Sequence, residues 1–270
     1  MLHIVTVHFG SPRWVEIQAS YLREHVSVPF QTWTSLEGID PSYGVHFDHV
    51  FEQRGRHPGK LNHLALEISH RVPEDDLLMF LDGDAFPIAD PLPLIEEGLS
   101  RAPLVAVRRA ENAGDPQPHP CFCVTSVGTW RRLPGDWSGG YTWRGHGGKL
   151  VTDVGGNLLR ALELAELEWV PVSRSNRVNL DPVFFGIYGD VIYHHGAGFR
   201  PGELSRAYLD RAPAKLGGAA TPLLGPLARR VNMRRRAAWV KRTQRAYLER
   251  SEAIYTNISR GGTEWLQELR

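Results

Sequence analysis

The sequence predicts an α/β fold whose central sheet is mostly parallel and flanked by helices, with a basic helical extension at the carboxyl end. Three observations lead there. The run Leu77-Leu78-Met79-Phe80-Leu81 is apolar at every position, as a strand covered on both faces must be. Strand-like and helix-like stretches alternate through the first half of the chain, the pattern of a parallel sheet with crossover helices. That apolar strand then runs straight into Asp82-Gly83-Asp84, at the carboxyl end where open α/β sheets hold their ligands.

The elements follow in order. Leu2 to Phe9 is a β-branched first strand, and Pro12 to His25 suits a helix with Trp14, Val15, Ile17, Ala19, Tyr21 and Leu22 as its apolar residues. Phe30 to Thr34 reads as a second strand and Val45 to Phe51 as a weaker third. Pro58 to Arg71 is helical, with proline near its start and Leu61, Leu64, Ala65 and Ile68 on one face. Leu77 to Leu81 returns to the sheet. Beyond the acids, Pro91 to Leu99 reads as a short helix, and Leu104 to Val107 and Cys121 to Ser126 as strands. Between those strands, Asn112, Gly114, Pro116, Pro118 and Pro120 mark a loop. Leu133 to Gly148 is a longer loop beside the site, carrying the aromatics Trp137, Tyr141 and Trp143, which either face a ligand or pin it to the core. Thr152 to Leu167 is a helix capped near Thr152 or Asp153, Trp169 to Val172 a strand, and Val183 to Tyr193 strands ending in His194-His195-Gly196-Ala197-Gly198. From Pro201 onward the chain is helical and basic.

At 270 residues the chain holds one large α/β domain or two small ones. Its formal charge of +1 does not mark a nucleic-acid binder. The charge is unevenly spread, however, because Arg229, Arg230, Arg234, Arg235, Arg236, Lys241, Arg242 and Arg245 crowd the extension. Such runs are ordinarily solvated faces; the alternative is peripheral contact with an anionic membrane. Cys121 and Cys123 are expected on opposite faces of their strand, as two buried thiols without a disulfide. With no disulfide framework, signal peptide or membrane-spanning run in the sequence, the expected location is the cytoplasm, with the inner face of the membrane as the peripheral option.

Two carboxylates separated by one glycine repel each other unless a cation joins them. Oxygen ligands with one imidazole suit Mn²⁺ or Mg²⁺. The imidazole candidates are His194 and His195, which strand alternation sends to opposite sides, so only one easily joins a given ion. Gly196 and Gly198 permit close approach of backbone to a ligand, and Arg200 suits charge-assisted hydrogen bonds to phosphate. The plainer explanations are a turn for the acids and a hydrogen-bonded core residue for either histidine.

With these residues in view, the sequence resembles the GT-A glycosyltransferases, Rossmann-like enzymes whose DxD motif binds a metal and the diphosphate of a nucleotide-sugar. Asp82-Gly83-Asp84 stands as the DxD. His194 through Pro201 looks like the late His-x-x-x-x-x-Lys-Pro segment of the glycogenin-like retaining family, with Arg200 in place of lysine. The resemblance covers roughly Leu2 to Pro201, which sets a catalytic domain at 1–200 and an extension at 201–270. It implies nucleotide-sugar contacts at Thr6, Val7 and His8 by topology, at Lys60 and Asn62, and at Gly198 beside the acids. It also implies a donor-sugar or base role for Asp153, in a degraded Asp-Gln-Asp-x-Leu-Asn pattern, and a leaving-group role for Arg200. Asp153 is as well explained by a helix N-cap, and Lys60 and Asn62 by a solvated helix face. The implied activity is metal-dependent transfer of a sugar from a nucleotide diphosphate, UDP-linked, to a glycan, lipid-linked or small-molecule acceptor, with retention favoured over inversion. The rival readings are a haloacid-dehalogenase-like phosphatase, whose late acid would come from Gly189-Asp190, a sugar-nucleotide pyrophosphorylase, and a non-catalytic membrane-bound sugar-nucleotide sensor.

Overall fold

The computed structural model describes residues 1–112, 114–144, 150–178, 184–196 and 225–270, with the side chains of 225–229 excepted. The described residues cluster into two units, Met1–His194 with Glu268–Arg270, and His195–Gln267. The expected boundary between residues 200 and 201 lies outside the described residues, as do Gly198, Arg200 and Pro201.

In the first unit the elements are β1 (Leu2–Phe9), α1 (Val15–His25), β2 (Phe30–Glu37), β3 (His49–Phe51), α2 (His57–Ser69), β4 (Leu77–Asp82), β5 (Ala85–Pro87), α3 (Leu92–Leu99), β6 (Leu104–Val107) and β7 (His119–Ser126). They continue with α4 (Val127–Arg132), β8 (Trp143–Arg144), β9 (Leu150–Val151), α5 (Gly156–Leu164), β10 (Val170–Val172), β11 (Phe184–Tyr188) and β12 (Ile192–Gly196), whose last two residues belong to the second unit. Seven strands form the main sheet in the order β10-β6-β7-β4-β1-β2-β3. Its neighbours pair in parallel except at β7, which runs against both β4 and β6. A small sheet orders β11-β12-β5, and β8 pairs with β9.

Alternate residues of each central strand enter opposite cores, which is why the strands read as unbroken apolar runs. Val5, Val7, Leu78 and Phe80 pack with Leu61, Leu64 and Ile68 of α2 and Leu158 of α5. Leu2, Ile4, Met79 and Leu81 pack with Leu22 of α1 and Ile95 of α3 on the other face. Helices thus cover both sides of a mostly parallel sheet.

The topology fixes where a ligand belongs. From β1 the chain builds β2 and β3 on one side, then crosses back through α2 to place β4 on the other. The resulting crevice at the carboxyl ends of β1 and β4 is a topological switch point. Val7 pairs in register with Asp82, so the acid pair emerges there.

Several boundaries differ from expectation. The third strand is only β3, because Asp40 caps a 3₁₀ turn over Pro41–His46 by accepting the Ser42 N–H. α5 starts at Gly156 rather than near Thr152: its N-cap Gly155 has φ 86, and a Cβ there would meet the Pro118 carbonyl oxygen at 2.1 Å. At its other end Glu166 adopts φ 53 and the Leu167 N–H donates back to the Leu162 carbonyl, a left-handed stop reached without glycine. β5, α4, β8 and β9 have no counterpart among the expected elements. Cys121 and Cys123 are free, buried and in opposite cores. Regular alternation would put residues two apart on one face. An irregularity in β7 intervenes, since Ala106 pairs with Cys123 but Val107 with His119, and the extra residues turn Cys121 over.

The second unit contains α6 (Gly225–Ser259) and α7 (Glu264–Gln267). Val240, Ser251, Ile254 and Ile258 form a buried stripe on α6, and Trp265 of α7 is also buried. No helix among the described residues is long and apolar enough to cross a membrane.

Candidate metal centre and active site

β4 delivers Asp82 to the switch point, and the turn into β5 places Asp84 beside it. β12 pairs antiparallel with β5, His194 opposite Ala85, which carries an imidazole from far along the chain to the same place. His194 Nε2 lies 3.5 Å from Asp82 Oδ2 and 3.4 Å from Asp84 Oδ1. One ligand atom from each of the three residues falls within 4.8 Å of the others. The turn requires glycine between the acids: a Cβ on Gly83 would sit 2.4 Å from the Val7 carbonyl oxygen and 2.9 Å from His8 Nδ1.

Two further imidazoles surround Asp82. His57, the first residue of α2, brings Nε2 to 3.2 Å from Asp82 Oδ1, and His119 brings Nδ1 to 3.9 Å from Oδ2. The Cys121 N–H donates to His119 Nδ1, so the proton of that neutral ring is assigned to Nε2. Burial would raise the Asp82 pKa, but His57, His119 and His194 hold it well below the ordinary carboxylate range. His194 shows the converse. Burial opposes its charge, yet Asp84 and the adjacent Cys121 thiol raise its pKa well above 6.5. Burial and the nearby Arg109 push His119 well below 6.5.

The lowered Asp82 carboxyl and the raised His194 imidazole describe a site in which negative charge is held by positive charge. The residues fit a divalent ion on a separate observation as well: Asp82 Oδ1 is buried and meets no hydrogen-bond geometry among the described residues, with His57 Nε2 3.2 Å away. Two carboxylates and one imidazole are a donor set for Mn²⁺ or Mg²⁺.

Gln18 of α1 locks the turn. Buried, it donates from Nε2 to the carbonyls of Asp82 (2.8 Å) and Ala85 (2.7 Å), while Oε1 accepts the Thr6 hydroxyl (2.9 Å) and faces His8 Nε2 at 3.0 Å. An amide oxygen only accepts, so the His8 proton is assigned to Nε2.

The structure gives different surroundings to the other expected site residues. The Thr6 and His8 side chains are turned inward onto Gln18, and Val7 is in the core, leaving only strand-end backbone for a ligand. Lys60 is buried in an ion pair with Glu37 and lies over the Phe9 ring. Asn62 is not on a solvated face: it donates to Asp136 and accepts the Trp137 N–H, fastening the loop after α4. That loop inserts Trp137 against Phe80 and Trp130, so this ring belongs to the core and not to a sugar face. Asp153 does not cap α5. Its Oδ2 accepts from Arg109 at 2.9 Å, and the same guanidinium reaches Asp115 at 3.4 Å. Of the two histidines, His194 joins the acids, whereas alternation turns His195 away to Ser251 Oγ at 2.6 Å. The group that converges here thus contains His194 and not His195.

Gln18, His57, His119 and Arg109 are site residues that sequence reasoning missed. Only a general signal existed for His57, as a histidine next to the proline that opens α2.

No protein-family model matches the chain, and no curated protein does. Among solved structures, the mannosyltransferase PcManGT from Pyrobaculum calidifontis, in complex with GDP-Man and Mn²⁺, is similar at 14% identity and TM-score 0.48, over 98% of this chain and 77% of that one. The glycosyltransferase GlyE of Streptococcus pneumoniae matches at 16% identity and TM-score 0.36, over 49% of this chain and 37% of its own. The galactosyltransferase LgtC, with donor and acceptor sugar analogues, matches at 15% identity and TM-score 0.33, over 48% of this chain and 59% of that one.

Proposed function

We propose that this chain is a metal-dependent glycosyltransferase of GT-A type, moving a sugar from a UDP-linked donor to a hydroxyl of a glycan, lipid-linked or small-molecule acceptor. One observation carries the reading: the carboxylates of Asp82 and Asp84 and the His194 imidazole, far apart in sequence, converge at the switch point of the sheet. Asp82, Asp84 and His194 would hold Mn²⁺ or Mg²⁺, and a divalent ion bound there supplies positive charge to a diphosphate as it departs. The chain's own contribution is preorganisation. Gln18 and Gly83 set the turn that carries both acids, so the carboxylates need no rearrangement when charge develops. Arg109 orients Asp153 toward a role with donor hydroxyls or the acceptor proton. Arg200 and Gly198, by the resemblance of their segment, contact the departing diphosphate. That segment also favours retention at the anomeric carbon.

The phosphatase alternative draws no support from its candidate late acid, because Asp190 lies in the turn before β12 with its backbone N–H on Ser175 Oγ. The test is a panel of nucleotide-sugars assayed for nucleoside diphosphate release with Mn²⁺. Release from a UDP-sugar that disappears in EDTA and in Asp84→Ala is expected. Release indifferent to both would overturn the metal-dependent reading, and NMR of the first-formed glycoside reads the anomeric outcome.

A further inference from the structure

The loop between β6 and β7 gathers charge on the ligand-binding edge of the sheet. β4 and β6 both run against β7, so their carboxyl ends lie on one edge. Two strand spacings separate them, about 10 Å. His119, at the start of β7, stands between, 3.9 Å from Asp82 Oδ2. Arg109 follows β6 by two residues, and its charge helps to lower the His119 pKa. It is within reach of a sugar ring joined to a diphosphate that an ion on Asp82 and Asp84 would hold.

One nitrogen of Arg109 serves two carboxylates, Asp153 Oδ2 at 2.9 Å and Asp115 Oδ2 at 3.4 Å. Asp115 is buried and accepts a further hydrogen bond from Asn112 Nδ2 at 2.9 Å. Asp153 is open, its side chain 41% exposed. Glu111, in the same loop, accepts the Tyr188 hydroxyl at 2.9 Å and lies 3.8 Å from Arg174. Within this paired group three carboxylates face two guanidiniums, which leaves a surplus of negative charge. Arg108 is exposed and makes none of these pairs. Burial, with Asp153 and Glu111 adding to it, pushes the Asp115 carboxyl up to about 6 against the pull of Arg109 and Asn112.

Polar atoms without partners mark the same loop as a place for a ligand. Arg109 Nε and both amide atoms of Gln117 are buried and have no hydrogen-bond partner among the described residues. Gln117 packs against the turn after Asp153, where a Cβ on Gly155 would lie 3.4 Å from its Cγ. Buried polar groups of a purely structural loop are ordinarily paired. Hydroxyls suit this group, since they donate to carboxylates and accept from a guanidinium. A carboxylate does not, because it would approach the open Asp153 while the guanidinium there is already divided between two acids. We propose that Arg109, Asp115 and Asp153 select the donor sugar by charge, admitting an uncharged hexose or N-acetylhexosamine and refusing a uronic acid.

This selection rests on the transferase reading, in which Asp153 meets donor hydroxyls. The experiment is calorimetric titration of the full chain with Mn²⁺ at neutral pH against UDP, UDP-glucose, UDP-glucuronate, UDP-galactose and UDP-galacturonate. The members of each sugar pair differ only in a hydroxymethyl against a carboxylate. UDP reads the diphosphate site alone, and absence of Mn²⁺-dependent UDP binding would remove the transferase reading and the selection together. In the pair whose hexose binds better, the uronate is expected to bind about tenfold more weakly. Asp115→Asn and Asp153→Asn should each reduce that ratio about threefold. Both changes are nearly isosteric, and a ratio taken within one variant cancels any effect common to the two sugars. Equal affinity within that pair, a tighter uronate, or a ratio unchanged in both variants would overturn the selection and leave the metal-dependent reading standing.

Discussion

Burial keeps the His8 imidazole neutral by lowering its pKa to about 4, against the weaker opposing pull of Gln18 and Asp84. The Asp115 carboxyl is pushed the other way, up to about 6, because burial outweighs the help of Arg109 and Asn112. The two act on stability with opposite signs. Between about 4 and 6.5 the unfolded chain binds the His8 proton and the folded chain does not, so acidification through that window costs about 3 kcal/mol. Between about 3.8 and 6 the folded chain binds the Asp115 proton first, so the same acidification returns about 3 kcal/mol. His119, held well below 6.5, adds to the His8 side. Asp82, lowered below 3.8, and His194, raised above 6.5, change stability outside this range. Asp115→Asn should therefore steepen the loss of stability between pH 6.5 and 4.5, and His8→Asn should flatten it. Urea unfolding at the two pH values measures both slopes, and slopes unchanged from the parent protein in both variants would refute the assignment.

At the scale of elements, the site depends on a helix that carries no chemistry of its own. α1 packs Leu22 into the core and thereby presents Gln18, whose amide satisfies two carbonyls of the acid-bearing turn and the hydroxyl of Thr6. Gln18→Leu keeps the volume close and removes all of these partners. Each orphaned buried group costs about 1–3 kcal/mol, and the turn loses its anchor. Mn²⁺ affinity should fall about 10- to 100-fold, as for groups that orient metal ligands, while Gln18→Glu, which retains the acceptor toward Thr6, should recover less than half of the stability because the carbonyls stay unpaired. Calorimetric titration with Mn²⁺ decides it, and an unchanged dissociation constant for the leucine variant would show that the turn holds itself. Gln18 also shows why part of the site was illegible. Its bonds to Asp82 and Ala85 span 64 and 67 residues, and a lone glutamine on a helix has no spacing to betray it. β1 and β4 were legible because both faces of each strand are buried and the apolar run is continuous. Asp82, Asp84 and the His194-His195 pair were legible as candidates because strand ends in such sheets are where ligands bind, but the choice between the two histidines was not. The irregularity in β7 that sets Cys121 beside His194 depends on pairing with β6, which no local pattern in the sequence encodes.

For the molecule as a whole, the candidate metal centre is assembled only when three parts of the fold are in place at once. β4 ends at the switch point, β5 turns back from it, and β12 pairs with β5 to bring His194 within reach of both acids. An unfolded chain retains two neighbouring carboxylates but loses the imidazole, the buried setting and the fixed turn. A divalent ion that binds this centre must then bind the folded chain in preference to the unfolded one, and stability must rise with ion concentration. At about 100 times the dissociation constant the gain is about 2.7 kcal/mol, which for a domain of this size raises Tm by about 5–10 °C. Because one of the three proposed ligands is an imidazole, Mn²⁺ should give a larger shift than Mg²⁺ at equal concentration. Asp84→Ala and His194→Ala should each abolish the shift, and EDTA should reverse it in the parent protein. Thermal unfolding with each ion reads all of these without any nucleotide-sugar present. A shift of equal size in both variants would place the ion elsewhere and detach the acid pair from the function built on it.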